Sequence, residues 1–200
     1  MSMRLLALIG LALAGCSRAP ADGQDVLARA PAPLLIETGG GTLCNGVRLD
    51  PDTVATAAHC LADGTGITLR DGANRVRATD VVLHPAFALL SAQGAGGVDL
   101  ARLSVAAPAG DAAGRVALRP VGPGPVTILA LAPDGTSRRV SCDVLGQSGR
   151  LTELACAVAL GWSGAPVVQD GALVGILSAR GRADGVAVAQ IADATLLSTF

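Results

Sequence analysis

Thr56-Ala57-Ala58-His59-Cys60 closes a short apolar run that starts at Thr53, and its last two residues set the terms for the whole chain. One of the chain's two histidines stands there beside a cysteine, and Cys44 lies sixteen residues upstream. Outward from this segment the chain breaks into short apolar runs punctuated by turn residues. Leu34 to Ile36, Thr42 to Leu49 and Thr53 to Ala57 read as successive strands, with Asp50-Pro51-Asp52 turning between the last two. Ile67 to Arg70, Arg75 to Leu83 and Val98 to Val105 follow. After a connector at 106–125, Val126 to Ala132 and Arg138 to Leu145 make a hairpin around Pro133-Asp134-Gly135. Leu154 to Leu160, Ala165 to Val168, Leu173 to Leu177 and Val186 to Gln190 complete a second set, and only Ile191 to Leu197 reads as helical. Many short strands at regular spacing predict an all-β sandwich or barrel.

Composition agrees with that class. Half of the 200 residues are apolar, yet Phe87, Trp162 and Phe200 are the whole aromatic set. The core must come from Val, Leu, Ile and Ala, in one domain or two small lobes. All 15 basic residues are Arg, a bias of GC-rich bacterial genomes. A net charge of −1 without a basic block excludes a nucleic-acid footprint.

The N-terminus reads as an export signal. Arg4 precedes an apolar stretch, Leu5 to Leu13, too short to span a bilayer but suited to a signal peptide over 1–15. Leu13-Ala14-Gly15-Cys16 resembles a bacterial lipobox, in which Cys16 takes a lipid and becomes the mature N-terminus. The alternative is cleavage after Ala12-Leu13-Ala14 and a soluble protein, periplasmic or secreted. The odd cysteine count favours the lipobox: Cys16 is left over if Cys44, Cys60, Cys142 and Cys156 pair in an oxidising compartment. Four cysteines allow three connectivities, of which local pairing, Cys44–Cys60 and Cys142–Cys156, is the simplest. Residues 16–33, rich in Ala and Pro, read as a tether from membrane to domain.

Thr56 to Cys60 matches the T-A-A-H-C signature of chymotrypsin- and trypsin-like serine peptidases, which also place a partner for this cysteine where Cys44 stands. Gly161-Trp162-Ser163-Gly164-Ala165-Pro166 resembles that family's G-D-S-G-G-P nucleophile loop. Val98-Asp99-Leu100-Ala101-Arg102-Leu103 resembles its D-I-A-L-L strand start, and Val82-Leu83-His84-Pro85 its H-P turn, which makes His84 structural. Gly175-Ile176-Leu177-Ser178 resembles the strand that pairs with substrate backbone. The resemblance spans 34–200 and implies two packed six-stranded β-barrels, 34–105 and 126–200, with a short C-terminal helix. It implies a serine endopeptidase that works through an acyl-enzyme. Ser163 is the nucleophile, His59 the base and Asp99 the acid that fixes its tautomer, while the N–H groups of Gly161 and Ser163 receive the oxyanion. Among the other acids, Asp63, Asp71 and Asp134 stand beside Gly in turns, and Gly146-Gln147-Ser148-Gly149 reads as a Gly/Ser turn and not a second nucleophile loop.

Two departures bear on function. Trp162 stands where digestive relatives carry the Asp that pairs with a freed N-terminus, so activation by that ion pair is excluded. Ala157 is placed at the base of the primary pocket with Ser178, Ala179 and Arg180 on one wall, which provides no acid for a basic substrate residue. A small or medium apolar residue is the first expectation, with Arg180 as an obstruction or an attractor of acidic side chains as the others. No cofactor or metal is expected, because two histidines and paired cysteines leave too few ligands. An α/β-hydrolase is excluded by chain order, since no His follows a serine in the second half. Protein or peptide substrates and a monomer are expected. The rival from another class is an envelope-anchored protease fold that binds without cutting.

Overall fold

The computed structural model describes residues 30–62, 65–87, 98–106 and 114–200. The signal segment 1–15, Cys16 and most of the tether lie outside the described residues, as do Asp63 and Asp111.

Twelve strands close into two barrels. The first joins β1 (Pro33–Glu37), β2 (Leu43–Asp50), β3 (Thr53–Thr56), β4 (Thr68–Asp71), β5 (Asn74–Leu83) and β6 (Ala101–Val105) in the order β1-β2-β3-β6-β5-β4. The second joins β7 (Val126–Leu131), β8 (Ser137–Ser148), β9 (Leu151–Ala155), β10 (Pro166–Gln169), β11 (Ala172–Ala183) and β12 (Val186–Asp193) as β10-β11-β12-β9-β8-β7. All pairings are antiparallel, and closure leaves neither sheet with an open edge.

Alternation fills the barrels. In β7 Val126, Ile128 and Ala130 point inward and the residues between them outward. Aliphatic side chains dominate both cores, and the first continues across the interface through Leu173, Ile176, Leu196 and Leu197 of the second half. The connector expected at 106–125 is stitched to both barrels where it is described. Val116 N donates to Leu49 O at 2.8 Å, and residues 117–119 exchange hydrogen bonds with Leu173 at 2.9 and 3.0 Å. Gln169 closes the loop beyond, accepting from Gly122 N at 2.7 Å while its amide lies 3.1–3.4 Å from the carbonyls of 122–125.

Several boundaries differ from the sequence reading, among them β8, which runs on to Ser148, and β11, which runs on to Ala183. β6 starts at Ala101, because Val98–Leu100 forms a tight turn in which Leu100 N donates to Val98 O at 2.8 Å. β9 ends at Ala155, so 157–160 is loop. The C-terminal helix is a 3-10 turn at Ala194–Ser198, and Ile191 to Asp193 remain in β12. Asp193 caps that turn by accepting from both Thr195 N and Thr195 Oγ1 at 2.8 Å, which stops the strand and starts the turn. Ser148 ends β8 beside Gly149 at φ +62°, so Gly146 to Ser148 are strand and the turn expected over 146–149 falls at Gly149-Arg150.

Candidate active site

His59 and Asp99 come from opposite ends of β3 and β6. His59 lies in the 3-10 turn Ala58–Leu61 that follows β3, and Asp99 in the tight turn before β6. Because Thr56 pairs with Ala101, the two turns are neighbours in space. Cys44 and Cys60 are joined by a disulfide that ties β2 to the histidine turn. The second bridge, Cys142–Cys156, ties β8 to the end of β9. Cys44, Cys60 and His59 cluster, but the two sulfurs are bonded to each other and provide no thiolate.

Asp99 is buried at 6% exposure and spends both carboxylate oxygens. Oδ2 lies 2.6 Å from His59 Nδ1 and accepts from Ser178 Oγ at 2.6 Å, while Oδ1 accepts from His59 N at 2.8 Å. Burial pushes the carboxyl up. The His59 hydrogen bond and charge, with Ser178 and the His59 N–H, outweigh it and hold Asp99 below the ordinary carboxylate range. His59 is raised: the hydrogen bond to Asp99 and its charge exceed the cost of partial burial. Its side chain is 42% exposed, so a proton can leave to solvent or substrate.

The loop 161–166 brings Ser163 to the edge of a 210 Å³ pocket also lined by Val158, Ala159, Leu160, Leu177, Ala179 and Arg180, with Ser178 beside Asp99. Gly161 and Gly164 both take φ +82°, the left-handed region that glycine occupies without strain. At Gly164 a Cβ would also overlap Asn45 O and Thr56 Oγ1, so the loop approaches β2 and β3 backbone to backbone. Among the described residues Ser163 Oγ makes no hydrogen bond to His59, whose Nε2 lies 3.8 Å from Cys60 Sγ. His59 and Asp99 are thus joined, and Ser163 stands at the pocket edge without yet engaging the imidazole.

Two placements change the sequence picture. Ala157 does not line the pocket beside Ser163. With β9 ended at Ala155 and Cys156 held to Cys142, it falls in an adjoining 420 Å³ cleft that shares Val158 and Arg180 as walls. Ser178, expected only as pocket wall, also donates to the acid. Trp162 is 8% exposed and sits in the second barrel's core with Cys142, Ala165 and Val167. His84 is structural: its N donates to Leu100 O at 2.9 Å, Nδ1 accepts from Ala86 N, and the ring meets Phe200 edge-on at 4.9 Å.

Asn45 is the residue that sequence reasoning missed. It is fully buried on β2, and its amide donates to Gly161 O at 2.8 Å and Leu131 O at 3.1 Å. Its Oδ1 accepts from Leu131 N at 2.7 Å, its N donates to Ser163 O at 2.7 Å, and its own carbonyl accepts from Thr56 Oγ1 at 2.7 Å. The available signal was an Asn directly beside Cys44, within a strand whose other members between Leu43 and Val47 are apolar or Gly.

No curated protein matches the chain. Among solved structures, Rv3671c protease from M. tuberculosis in its active form has TM-score 0.67 at 20% identity, covering 85% of this chain and 79% of that one. A Glu endopeptidase has TM-score 0.67 at 19% identity, covering 86% and 89%. The scabies mite inactivated protease paralogue S-D1 has TM-score 0.68 at 14% identity, covering 84% and 89%. Those likenesses establish the two-barrel architecture. The family model described as Trypsin matches residues 24–194, most of the chain, and with the fold this is sufficient: the chain belongs to the trypsin family.

Proposed function

We propose that the protein is an active serine endopeptidase with His59, Asp99 and Ser163 as its triad. The observation that carries this is the Asp99 carboxylate, buried and held to His59 Nδ1 beside the pocket on whose edge Ser163 stands. An acid spent on Nδ1 leaves Nε2 as the basic nitrogen. His59 then takes the Ser163 proton as Oγ attacks a peptide carbonyl, and the oxyanion is received by the N–H groups of Gly161 and Ser163. His59 returns that proton to the leaving amine, and water releases the acyl-enzyme by the same steps in reverse order.

Substrates are proteins or peptides, bound along Leu177 to Arg180 with a small or medium apolar side chain in the pocket. Paired cysteines fit an oxidising compartment, and a lipid on Cys16 would hold the domain at a membrane surface in the cell envelope. A second reading, a protease fold that binds without cutting, draws on the unengaged Ser163 and on the inactivated scabies mite paralogue that shares the architecture.

A fluorophosphonate separates the two, since it reacts with an activated serine and not with an ordinary hydroxyl. Labelling should map to Ser163 and vanish in Ser163→Ala, with hydrolysis of unfolded protein vanishing alongside. Labelling at Ser148, or wild-type turnover in Ser163→Ala, would overturn the triad.

A further inference from the structure

We infer that Asn45 is the positioning residue that shapes the oxyanion site, gripping from the first barrel the carbonyl oxygens of the two residues whose N–H groups are its donors. The inference rests on the reading of Ser163 as nucleophile and goes beyond it. Asn45 touches neither the reacting atoms nor the substrate, and acts through the loop.

The two residues proposed to donate to the oxyanion are Gly161 and Ser163, and Asn45 holds the carbonyl oxygen of each. Its side-chain amide donates to Gly161 O at 2.8 Å, and its backbone N–H donates to Ser163 O at 2.7 Å. Those carbonyls belong to the Gly161–Trp162 and Ser163–Gly164 peptides, each one Cα beyond the peptide that carries the donor N–H, so holding them restrains the Gly161 and Ser163 torsions that turn the donors. Neither the Gly161 N–H nor the Ser163 N–H is taken up by another protein group among the described residues, so both remain available. Gly161 at φ +82° has no Cβ to restrict its torsions, so orientation there has to be imposed by a partner.

The grip is itself held fast. The rest of the carboxamide is spent on Leu131, at 3.1 Å to its carbonyl and 2.7 Å from its N–H, which anchors the side chain to the end of β7. Thr56 Oγ1 donates to the Asn45 carbonyl at 2.7 Å from β3. A fully buried carboxamide with every hydrogen-bonding group satisfied has one orientation. On the other side of the loop, Trp162 is sunk in the second barrel's core. The loop is therefore clamped between an apolar anchor below and a polar one across the interface. This arrangement needs no charged N-terminus to hold the loop open.

Asn45→Asp and Asn45→Ala test this together. The first is nearly isosteric and keeps the acceptor for Leu131 N but loses both side-chain donors. The second removes the carboxamide and keeps the backbone N–H to Ser163. Active sites are counted by burst titration, so that misfolded protein is excluded from the rate. Per titrated site, kcat should fall on the order of 10²-fold, as for loss of an oxyanion donor, with KM unmoved. A peptidyl boronic acid, whose bound form places an oxygen at the oxyanion position, should lose affinity in the same proportion. The pH midpoint that reports His59 should stay where it is in the wild type. Unchanged kcat per titrated site in both variants, or a loss confined to KM, overturns the inference while leaving the triad intact. Failure of fluorophosphonate to label wild-type Ser163 removes the triad reading, and the inference with it.

Discussion

Asp99 sits at the centre of the residue-scale chemistry, because three donors converge on it, two from His59 and one from Ser178. Asp99→Asn keeps the shape but presents the wrong group to Nδ1, and kcat/KM should fall about 10⁴-fold, as is typical of this change in serine-protease triads, with the thermal midpoint little altered. The raised His59 predicts a pH profile: activity needs the neutral ring, so it should be lost as pH falls through a midpoint above about 6.5. Stability runs the opposite way for this group. The charged ring is favoured in the fold, so its contribution is full below about 6.5 and fades as pH rises through the folded value. The lowered Asp99 contributes above about 3.9 and loses it as pH falls through its folded value. The pair thus stabilises most at mildly acidic pH, below the range in which His59 works as a base. Kinetic and melting profiles measured on one sample should show the two optima apart. Arg180 makes a separate prediction about specificity. No carboxylate lines the pocket and a guanidinium does, so substrates with Lys or Arg at the cleaved residue should be about 10²-fold poorer than those with Ala or Val. Arg180→Gly should narrow that gap at least tenfold in kcat/KM; an unchanged ratio would place the guanidinium outside the binding path.

At the scale of elements, Gly164 shows how little room the nucleophile loop has. A methyl group there would meet the Asn45 carbonyl and the Thr56 hydroxyl, on top of an unfavourable φ, so Gly164→Ala should cost on the order of 3 kcal/mol in denaturant unfolding. Gly161→Ala has open space around it, the nearest contact being Leu43 O at 3.7 Å, and should cost less stability than it costs activity. The motifs around these elements were legible in the sequence because each is local. Thr56 to Cys60 and Gly161 to Pro166 carry their own turn chemistry, and β7 and β8 are marked by the Pro133-Asp134-Gly135 corner. What stayed hidden depends on distance along the chain. Asn45 reaches partners 86 and 116 residues away, and no periodicity encodes that. Ala157 lies beyond the end of β9, in the cleft that adjoins the Ser163 pocket at Val158 and Arg180, and its sequence distance from Ser163 carries no sign of where that strand stops. The 106–125 segment has the composition of a linker, yet 116–119 is held by backbone hydrogen bonds, to which composition is blind.

For the whole molecule, the two-barrel plan follows from closure. In each half six antiparallel strands close on themselves, and the seam between the two halves holds the site. With Trp162 buried where an ion pair to a new N-terminus would otherwise form, chains that start at different points within 17–33 should show equal turnover per titrated site. Activation only after cleavage before one defined residue would contradict this. Intact mass of the native protein decides the anchor: a lipid-modified chain beginning at Cys16 supports it, and an unmodified chain beginning at Gly15 excludes it. The reach of Asn45 across the interface has a consequence for the birth of the enzyme. Histidine and acid belong to the half made first, the serine to the half made last, and Asn45, on a strand of the first half, finds all its side-chain partners in the second. A nascent or newly exported chain with one half folded holds an incomplete set of tools. On the proposed reading, hydrolysis can appear only once both halves have folded and docked.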